Sequence, residues 1–422
     1  MKKFTVAILG CGNRGAQTYG ALMHARPEQF EVVALCDYNT TRLGNFGARF
    51  GVPEANRFTD EEVFLSEKRA DLLVIATMDR DHVRQGVRAL ELGYDLLLEK
   101  PITDNKEECE QLLAAQKKYG GKVLVCHVLR YAPAFRKAAE LLQSGAIGRL
   151  VTIQALEQVA YWHVAHSFVR GNWRRRDETA PMILAKCCHD LDLLQYYAGS
   201  RAVNVSSVGD LTYFKPENAP AEAADRCTSC KLIESCPYSA KRIYIDVYRE
   251  QGCPEHAYWP QTQVSCADPM SEAELYKALE EGPYGRCAYK CDNDVVDHQL
   301  VDITFENGVK ATLTMMGFTA GCGRIMRFFG TLGEIVLDEG DDTLKLKPFG
   351  GTEVVYKISE LGYTATGHGG GDDGLVNDLY AVLSGESLPA TSLAASVESH
   401  LMAFAAEKSR LEGGKLVPVH ED

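Results

Sequence analysis

No stretch of this chain comes near the roughly 18 consecutive apolar residues that a membrane-spanning helix needs, which excludes a transmembrane segment. Positive charge is in deficit: 45 Lys and Arg stand against 58 Asp and Glu, for a formal net charge of −13. A field of that sign repels phosphate backbones and anionic lipid, so neither nucleic acid nor a membrane surface is an expected partner. Nor is a secretion signal expected. The opening MKKFTVAILGCG has two lysines and an apolar run, but the run breaks at Gly10 with no small-residue cleavage site, and a cytoplasmic protein is expected. There is no internal repeat and no low-complexity segment. Tryptophan is scarce, with 3 residues, and two of them fall close together at Trp162 and Trp173.

Cysteine is the residue in excess. Fourteen occur in 422 residues, and in a long chain without an export signal they read as thiols and metal ligands rather than as a disulfide framework. The length implies two or three domains, at roughly 100 to 200 residues each. From residue 1 to about 127, apolar or β-branched runs at 4–10, 31–37, 71–77, 95–100 and 122–127 alternate with helix-period segments at 14–25, 81–92 and 104–118. Strands apolar on both faces and separated by helices predict a doubly wound parallel sheet of the Rossmann kind. After residue 150 the pattern turns to strand-like stretches with hairpin signals at Asn307-Gly308, Gly340-Asp341-Asp342 and Gly350-Gly351. This predicts an α+β domain over 128–422 with a large open, mainly antiparallel sheet, one helix at about 181–198 and a last one at about 391–411. Residues 212–295, rich in Cys, Pro, Tyr and charge, fit neither pattern and read as an insertion.

Directly after the first strand stands Gly10-Cys11-Gly12-Asn13-Arg14-Gly15. Glycines at these positions permit a tight turn, close approach of backbone to a pyrophosphate and close helix packing, while the helix N-terminus favours negative charge. The second strand ends in Asp37, where a carboxylate would hold the ribose hydroxyls of a dinucleotide. Tyr38 and Asn39 follow with no arginine at once, which favours NAD over its 2′-phosphorylated form. The third and fourth strands end in IATMDRDH (75–82) and LLLEKPITD (96–104). Thr77, His82, Glu99 and Lys100 thereby come to the C-terminal edge of the sheet, where open α/β sheets bind ligands.

With the Gly-rich turn, this constellation resembles the glucose-fructose oxidoreductase, inositol dehydrogenase and rhizopine-catabolism (Gfo/Idh/MocA) family of NAD(P)-dependent sugar oxidoreductases. The resemblance takes in the Glu99-Lys100-Pro101 step, Arg130-Tyr131 after the fifth strand, the histidine of AKCCHDLDLL (185–194), the open sheet and HGGGDD (368–373). It implies that Lys100 and His189 form the acid/base pair beside the nicotinamide, and it brings Arg130 and Tyr131 forward as substrate contacts. The family usually carries an Asp four residues before the histidine; here that position is Ala185, with Lys186 beside it. On one continuous helix Lys186 and His189 would share a face, which makes Lys186 a third catalytic candidate and Asp190 a candidate substrate contact. Asp192 could orient the His189 ring or simply lie on the helix surface.

Upstream, YWHVAHSFVRGNWRRR (161–176) is dense in rings and cations. Trp162, His163, His166, Arg170 and Trp173 are candidate walls for a sugar, which pairs ring faces with hydrogen-bonding groups. Within the insertion, Cys227-x2-Cys230-x5-Cys236-Pro237 has spacing suited to one tetrahedral ion, with Cys287, Cys291, Cys253 or His256 as the fourth ligand. Cys287 is the choice carried forward, with zinc expected over an iron–sulfur cluster because hydride transfer has no need of one-electron chemistry. The seven cysteines outside the insertion read as buried small residues.

The sequence therefore predicts an NAD-dependent oxidoreductase acting on a secondary hydroxyl of a sugar, polyol or cyclitol. Two other readings stand beside it. One is redox-neutral glycoside cleavage through a keto-sugar with tightly held NAD, and the other is a non-enzymatic NAD-bound sensor or scaffold. A homodimer or homotetramer is expected, because strand 312–318 places apolar groups on both faces of a sheet that one helix can cover on one side only.

Overall fold

A computed structural model describes residues 2–364 and 367–420. The first layer is a six-stranded, wholly parallel sheet in the order β3-β2-β1-β4-β5-β6. Its strands are β1 (Phe4–Leu9), β2 (Phe30–Cys36), β3 (Arg57–Phe58), β4 (Leu72–Ile75), β5 (Asp95–Leu98) and β6 (Val123–Val125). The five apolar runs expected from the sequence all appear. The two-residue edge strand β3 and the helix Thr40–Phe50 do not stand out in the sequence, because an edge strand needs no apolar run and the helix interior carries Gly44 and Gly47. Helices Thr40–Phe50, His82–Glu91 and Lys106–Tyr119 connect the strands, and Asn39 caps the first by accepting from the Arg42 backbone N–H at 2.9 Å. The segment after the Gly-rich turn is helical, but it runs first as wider π-type turns, Asn13–Gly20, and then as α-helix, Ala21–His24.

The second layer is a nine-stranded sheet in the order β14-β13-β12-β11-β7-β10-β9-β8-β15. Its strands are β7 (Leu150–Gln158), β8 (Ala202–Asp210), β9 (His298–Phe305), β10 (Lys310–Met316), β11 (Gly323–Gly330), β12 (Gly333–Asp338), β13 (Thr343–Pro348), β14 (Val354–Lys357) and β15 (Val417–Pro418). All its pairs are antiparallel except β7 with β10. The three expected hairpins join β9 to β10, β12 to β13 and β13 to β14. Along β10, Ala311, Leu313 and Met315 are buried while Thr312, Thr314 and Met316 are half-buried. The opposite face of the sheet is mixed rather than wholly apolar: exposed Val151, Val208 and Leu300 lie among exposed Gln154, Asp302 and Arg327.

Two C-terminal helices return to the first layer. Leu375, Val376, Leu379 and Val382 of helix Gly367–Ser384 share a core with Phe4, Val6 and Ile8, and Leu393 and Val397 of helix Leu393–Leu411 pack on the other side of the sheet. The first domain's core is thus completed by chain far beyond residue 127, because a parallel sheet must be covered on both faces. The insertion, 212–295, holds only short helical segments, of which Glu272–Glu281 is the longest among the described residues. Aromatic packing fastens it to the second domain: Phe214 stacks on Phe318 at 5.8 Å between ring centres, and Tyr238 meets Tyr161 edge-on at 6.1 Å.

Candidate active site

The Gly-rich turn follows β1 and is shaped by backbone proximity. Gly10 has φ +91°, and a Cβ there would lie 2.4 Å from the Ala76 carbonyl oxygen. A Cβ on Gly15 would lie 2.0 Å from the Gly10 carbonyl oxygen. At Gly12, by contrast, the nearest atom to an added Cβ is Arg42 Nη1 at 3.9 Å, so the turn opens there. Asp37, at the end of β2, accepts from the backbone N–H groups of Cys11 (2.8 Å) and Asn39 (2.8 Å) and lies 3.3 Å from Arg42 Nη1. An open backbone turn at a helix N-terminus, with a buried, oriented carboxylate beside it, suits the pyrophosphate and ribose of a dinucleotide.

Other cofactor candidates are engaged with the protein itself. Arg14 bonds Glu99 at 2.7 Å and Asp372 at 2.7 Å, tying the turn to β5 and to helix Gly367–Ser384. Asn13 Nδ2 donates to Gln17 Oε1 at 3.0 Å. The Thr77 hydroxyl donates to Gln85 at 2.6 Å, and buried His82 braces two strand ends, with Nδ1 2.8 Å from the Pro101 carbonyl and Nε2 3.3 Å from that of Thr77. Burial alone would raise the pKa of Glu99, but the charges of Arg14 and Lys100 prevail and lower it. A segment of the insertion closes over the turn. Gln17 Nε2 donates to the Ala257 carbonyl (3.2 Å), the Thr262 hydroxyl donates to Gln17 Oε1 (3.3 Å), and Cys266 Sγ accepts from Asn39 and Arg42, each at 3.6 Å.

Lys100 and His189 come together although 88 residues lie between them in the chain. Lys100 stands at the end of β5 and its Nζ donates to the Ala185 carbonyl oxygen at 3.0 Å. At the position where the resemblance leads one to expect an Asp side chain, the backbone carbonyl therefore holds the lysine. His189 is 5% exposed, and its Nδ1 is buried with no hydrogen-bond partner. Burial holds its pKa well below the usual histidine value, and among nearby charges Lys100 adds most to that lowering. Two further rings flank it: His127 at 5.8 Å and His368 at 5.9 Å between centres. The imidazole is therefore neutral at neutral pH and free to accept a proton.

The expected continuous helix is broken. Met182–Ala185 ends at Lys186, and a second helix, Cys188–Ala198, begins after Cys187. Lys186 reaches the same space by a different route, anchored by Glu157 at 3.1 Å near the C-terminal end of β7. Glu157 also meets Arg324 of β11 (2.9 Å), and Arg324 meets Asp190 (2.8 Å). Arg324 and Lys186 together outweigh burial and lower the Glu157 pKa, while burial raises that of Asp190. Lys186 stays charged through Glu157 and is the strongest charge acting on His163, whose pKa burial also lowers.

The ring-dense segment divides between two sites. Trp162 and His163 join Trp259 of the insertion, with Trp162 5.4 Å and His163 4.9 Å from its ring, and form an aromatic wall. His166 is buried behind it, bonded to the Tyr244 hydroxyl at 2.9 Å, and Arg170 is turned toward the insertion's thiols. Trp173 Nε1 donates to buried Asp79 at 3.1 Å. Arg130 makes a bidentate pair with Asp192, both bonds 2.6 Å, and the Tyr131 hydroxyl bonds Asp378 (2.9 Å) and Thr391 (3.0 Å). Arg130 thus ties the turn after β6 to helix Cys188–Ala198, and Tyr131 ties it to Asp378 of helix Gly367–Ser384 and to Thr391. Asp190 is likewise held by Arg324. Cys322, expected to be buried, is exposed beside His163, because it sits in the loop before β11.

The family profile described as "oxidoreductase family, NAD-binding Rossmann fold" matches residues 4–127, and the GFO/IDH/MocA C-terminal domain profile matches residues 135–230. The chain belongs to the Gfo/Idh/MocA oxidoreductase family. Among its curated relatives, putative oxidoreductase YteT of Bacillus subtilis is 25% identical over 88% of this chain and 89% of its own length. Oxidoreductase P35 of Formosa agariphila is 30% identical, over 46% of this chain and 60% of its own length. An inositol 2-dehydrogenase of Corynebacterium glutamicum is 25% identical, over 48% and 57%. For these last two, the match spans less than two thirds of the relative. A levoglucosan dehydrogenase solved with NADH and levoglucosan superposes with a TM-score of 0.71 at 17% identity, covering all of both chains, which shows a shared fold.

Within this Gfo/Idh/MocA chain, several residues of the cleft escape a reading of the sequence. His368 has a left-handed backbone (φ +51°) and its Nδ1 lies 3.2 Å from Asp372 Oδ2. Its signal is present in the glycine-flanked HGGGDD. Glu157 and Arg324 carry no local signal, since they meet only through the β7–β11 register that sets Arg324 opposite Glu157. His127, Trp259 and Arg42 likewise become site residues only when distant elements meet. As for the expected metal, no group of three or more His, Cys, Asp and Glu side chains among the described residues is placed to hold an ion. No helix among them is long and apolar enough to cross a membrane.

Proposed function

We propose that this protein oxidises a secondary hydroxyl of a sugar, polyol or cyclitol with NAD. The observation that carries the reading is the meeting of Lys100 with a buried, neutral His189 at the C-terminal edge of the parallel sheet, beside the opened Gly-rich turn. Gly10, Gly12, Gly15 and Asp37 fit a dinucleotide, which when bound supplies the hydride acceptor. His189, held neutral, takes the hydroxyl proton. Lys100 spends one N–H on Ala185 and has two left for the developing alkoxide, which it stabilises as a fixed cation. Lys186, held charged by Glu157, adds positive potential that suits an alkoxide or an anionic substituent. Trp162, His163 and Trp259 supply ring faces against which the C–H face of a sugar packs. The names of relatives that act on inositol, and of a fold neighbour that binds levoglucosan, support this substrate class.

Steady-state oxidation of a polyol and sugar panel, followed by nicotinamide absorbance, tests the reading. His189→Gln should abolish turnover on the best substrate while leaving NAD affinity within a few-fold. An active His189→Gln enzyme would sink the assignment. We also propose that copies of the chain pair through the uncovered face of the nine-stranded sheet around Val151, Val208 and Leu300. Light scattering that found only a 46.5 kDa species at micromolar concentration would refute this.

A further inference from the structure

Cys227, Cys230, Cys236 and Cys287 come from two stretches far apart in sequence, yet all four line one small cavity of about 20 Å³ in the insertion. Backbone hydrogen bonds hold the two stretches against each other. Cys287 N–H donates to the Asp225 carbonyl at 2.8 Å, and an isolated bridge joins Arg226 to Arg286. Within the first stretch, turns are fixed by Cys230 N–H to the Cys227 carbonyl (3.1 Å) and Cys236 N–H to that of Leu232 (2.9 Å). The other candidate ligands fall away. Cys253 is exposed, Cys291 does not line the cavity, and His256 is exposed and bonded to Asp268 at 2.8 Å.

A second observation points to what the cavity takes. Arg170 also lines it and is 1% exposed. Its Nε donates to the Arg286 carbonyl (2.7 Å), and its Nη2 to the Tyr238 carbonyl (2.6 Å) and toward Cys227 Sγ (3.6 Å), while Nη1 is buried with no partner. No carboxylate pairs with this guanidinium among the described residues. A buried cation without a counter-charge costs several kcal/mol, so an anionic occupant of the thiol-lined space would satisfy both its charge and its free N–H.

The width of the cage selects among anionic thiolate centres. A zinc ion sits about 2.3 Å from each of four sulfurs, and such a cage leaves no room for a water-sized sphere. Here the cavity admits one, and no three ligands are grouped for a single ion. A proline directly follows the last cysteine of the local run, as it does in bacterial ferredoxin runs.

We propose that Cys227, Cys230, Cys236 and Cys287 ligate a cubane iron–sulfur cluster, with Arg170 as its charge partner. Ligation converts the four thiols to thiolates and releases four protons, and the bridging sulfides accept from Arg170 Nη1. The role is structural and calls for no electron transfer. Arg170 ends the helical turn Val164–Arg170, which begins next to His163, so the cluster braces the aromatic wall from behind.

The test uses the full chain, purified without oxygen and reconstituted with ferrous iron, sulfide and a dithiol. We expect roughly four iron and four acid-labile sulfide per chain, with a broad visible absorbance that dithionite bleaches. Cys236→Ser and Cys287→Ser should each lose most of the iron, while Cys253→Ser and Cys291→Ser keep it. Arg170→Gln should lower cluster retention and Arg170→Lys restore part of it. Zinc at one per chain without sulfide would overturn the proposal, and so would reconstituted protein lacking both iron and sulfide. The wild-type stoichiometry decides the matter even if the serine variants fold poorly.

Discussion

The parallel sheet and the cysteine-rich insertion are held together in opposite ways. In the sheet, β1, β4, β5 and β6 are almost wholly buried aliphatic strands, covered by the helices between them and by the two C-terminal helices, so apolar packing holds the layer together. The insertion has short helical pieces, aromatic contacts and buried polar groups whose partners lie far along the chain, such as Arg170 with Arg286. The sheet tolerates a local change, whereas the insertion depends on a few side chains that converge from several segments. The cleft lies where the two meet: the sheet edge brings Lys100 and Asp37, and the insertion brings Trp259 and the strap over Gln17.

Several experiments would break or sharpen this contrast. The largest effect is expected at Lys100, where Lys100→Met should cut turnover on the order of 10²- to 10⁴-fold with NAD binding retained. Fluorescence titration of NAD beside kinetic assay checks this, and parallel loss of both would make the lysine structural. Next comes Arg324→Met, which leaves Glu157 and Asp190 buried without their shared cation. A loss of about 3–5 kcal/mol in chemical denaturation is expected, centred on the second domain. Glycine positions divide in the same spirit. Gly15→Ala must move backbone and should lower both stability and NAD affinity, whereas Gly12→Ala, with open space around it, should leave the melting temperature unchanged and weaken NAD alone.

A smaller effect concerns pH. Because burial and the Lys100 charge lower the His189 pKa, the acid limb of the oxidation rate should fall below pH 6.5, the ordinary histidine value. Removing the Lys100 charge makes protonation easier, so the residual activity of Lys100→Met should show its acid limb at higher pH. A shift in the other direction would refute the pairing. Stability follows the same sign. Burial lowers the pKa values of His127 to about 4 and of His166 and His400 to about 3, so the unfolded chain binds more protons once pH drops below the ordinary value. Melting temperature should therefore decline from pH 7 toward pH 5. The smallest change is expected at the strap: Thr262→Ala removes one exchangeable hydrogen bond and should weaken NAD by about 0.5–1.5 kcal/mol, read by calorimetry.

The parallel sheet, the Gly-rich turn, Asp37 and the Lys100 strand end were all legible from the chain alone. They depend on period-2 and period-3.6 patterns and on turn chemistry, which are local properties of a sequence. The three hairpins of the second sheet were legible for the same reason. His368 was half legible, since its glycine-rich setting is visible but its approach to His189 is not. Only the tertiary structure decided that Arg130 pairs with Asp192 and Tyr131 with Asp378, that Lys186 is anchored by Glu157 across a broken helix, and that Arg170 lines the same cavity as the four cysteines. A register between strands, or the meeting of two loops, is set by the packing of the whole core and not by the residues that meet. Local pattern therefore determined the scaffold and its cofactor turn, while the polar partners that tune the cleft became visible only once distant segments were folded against one another.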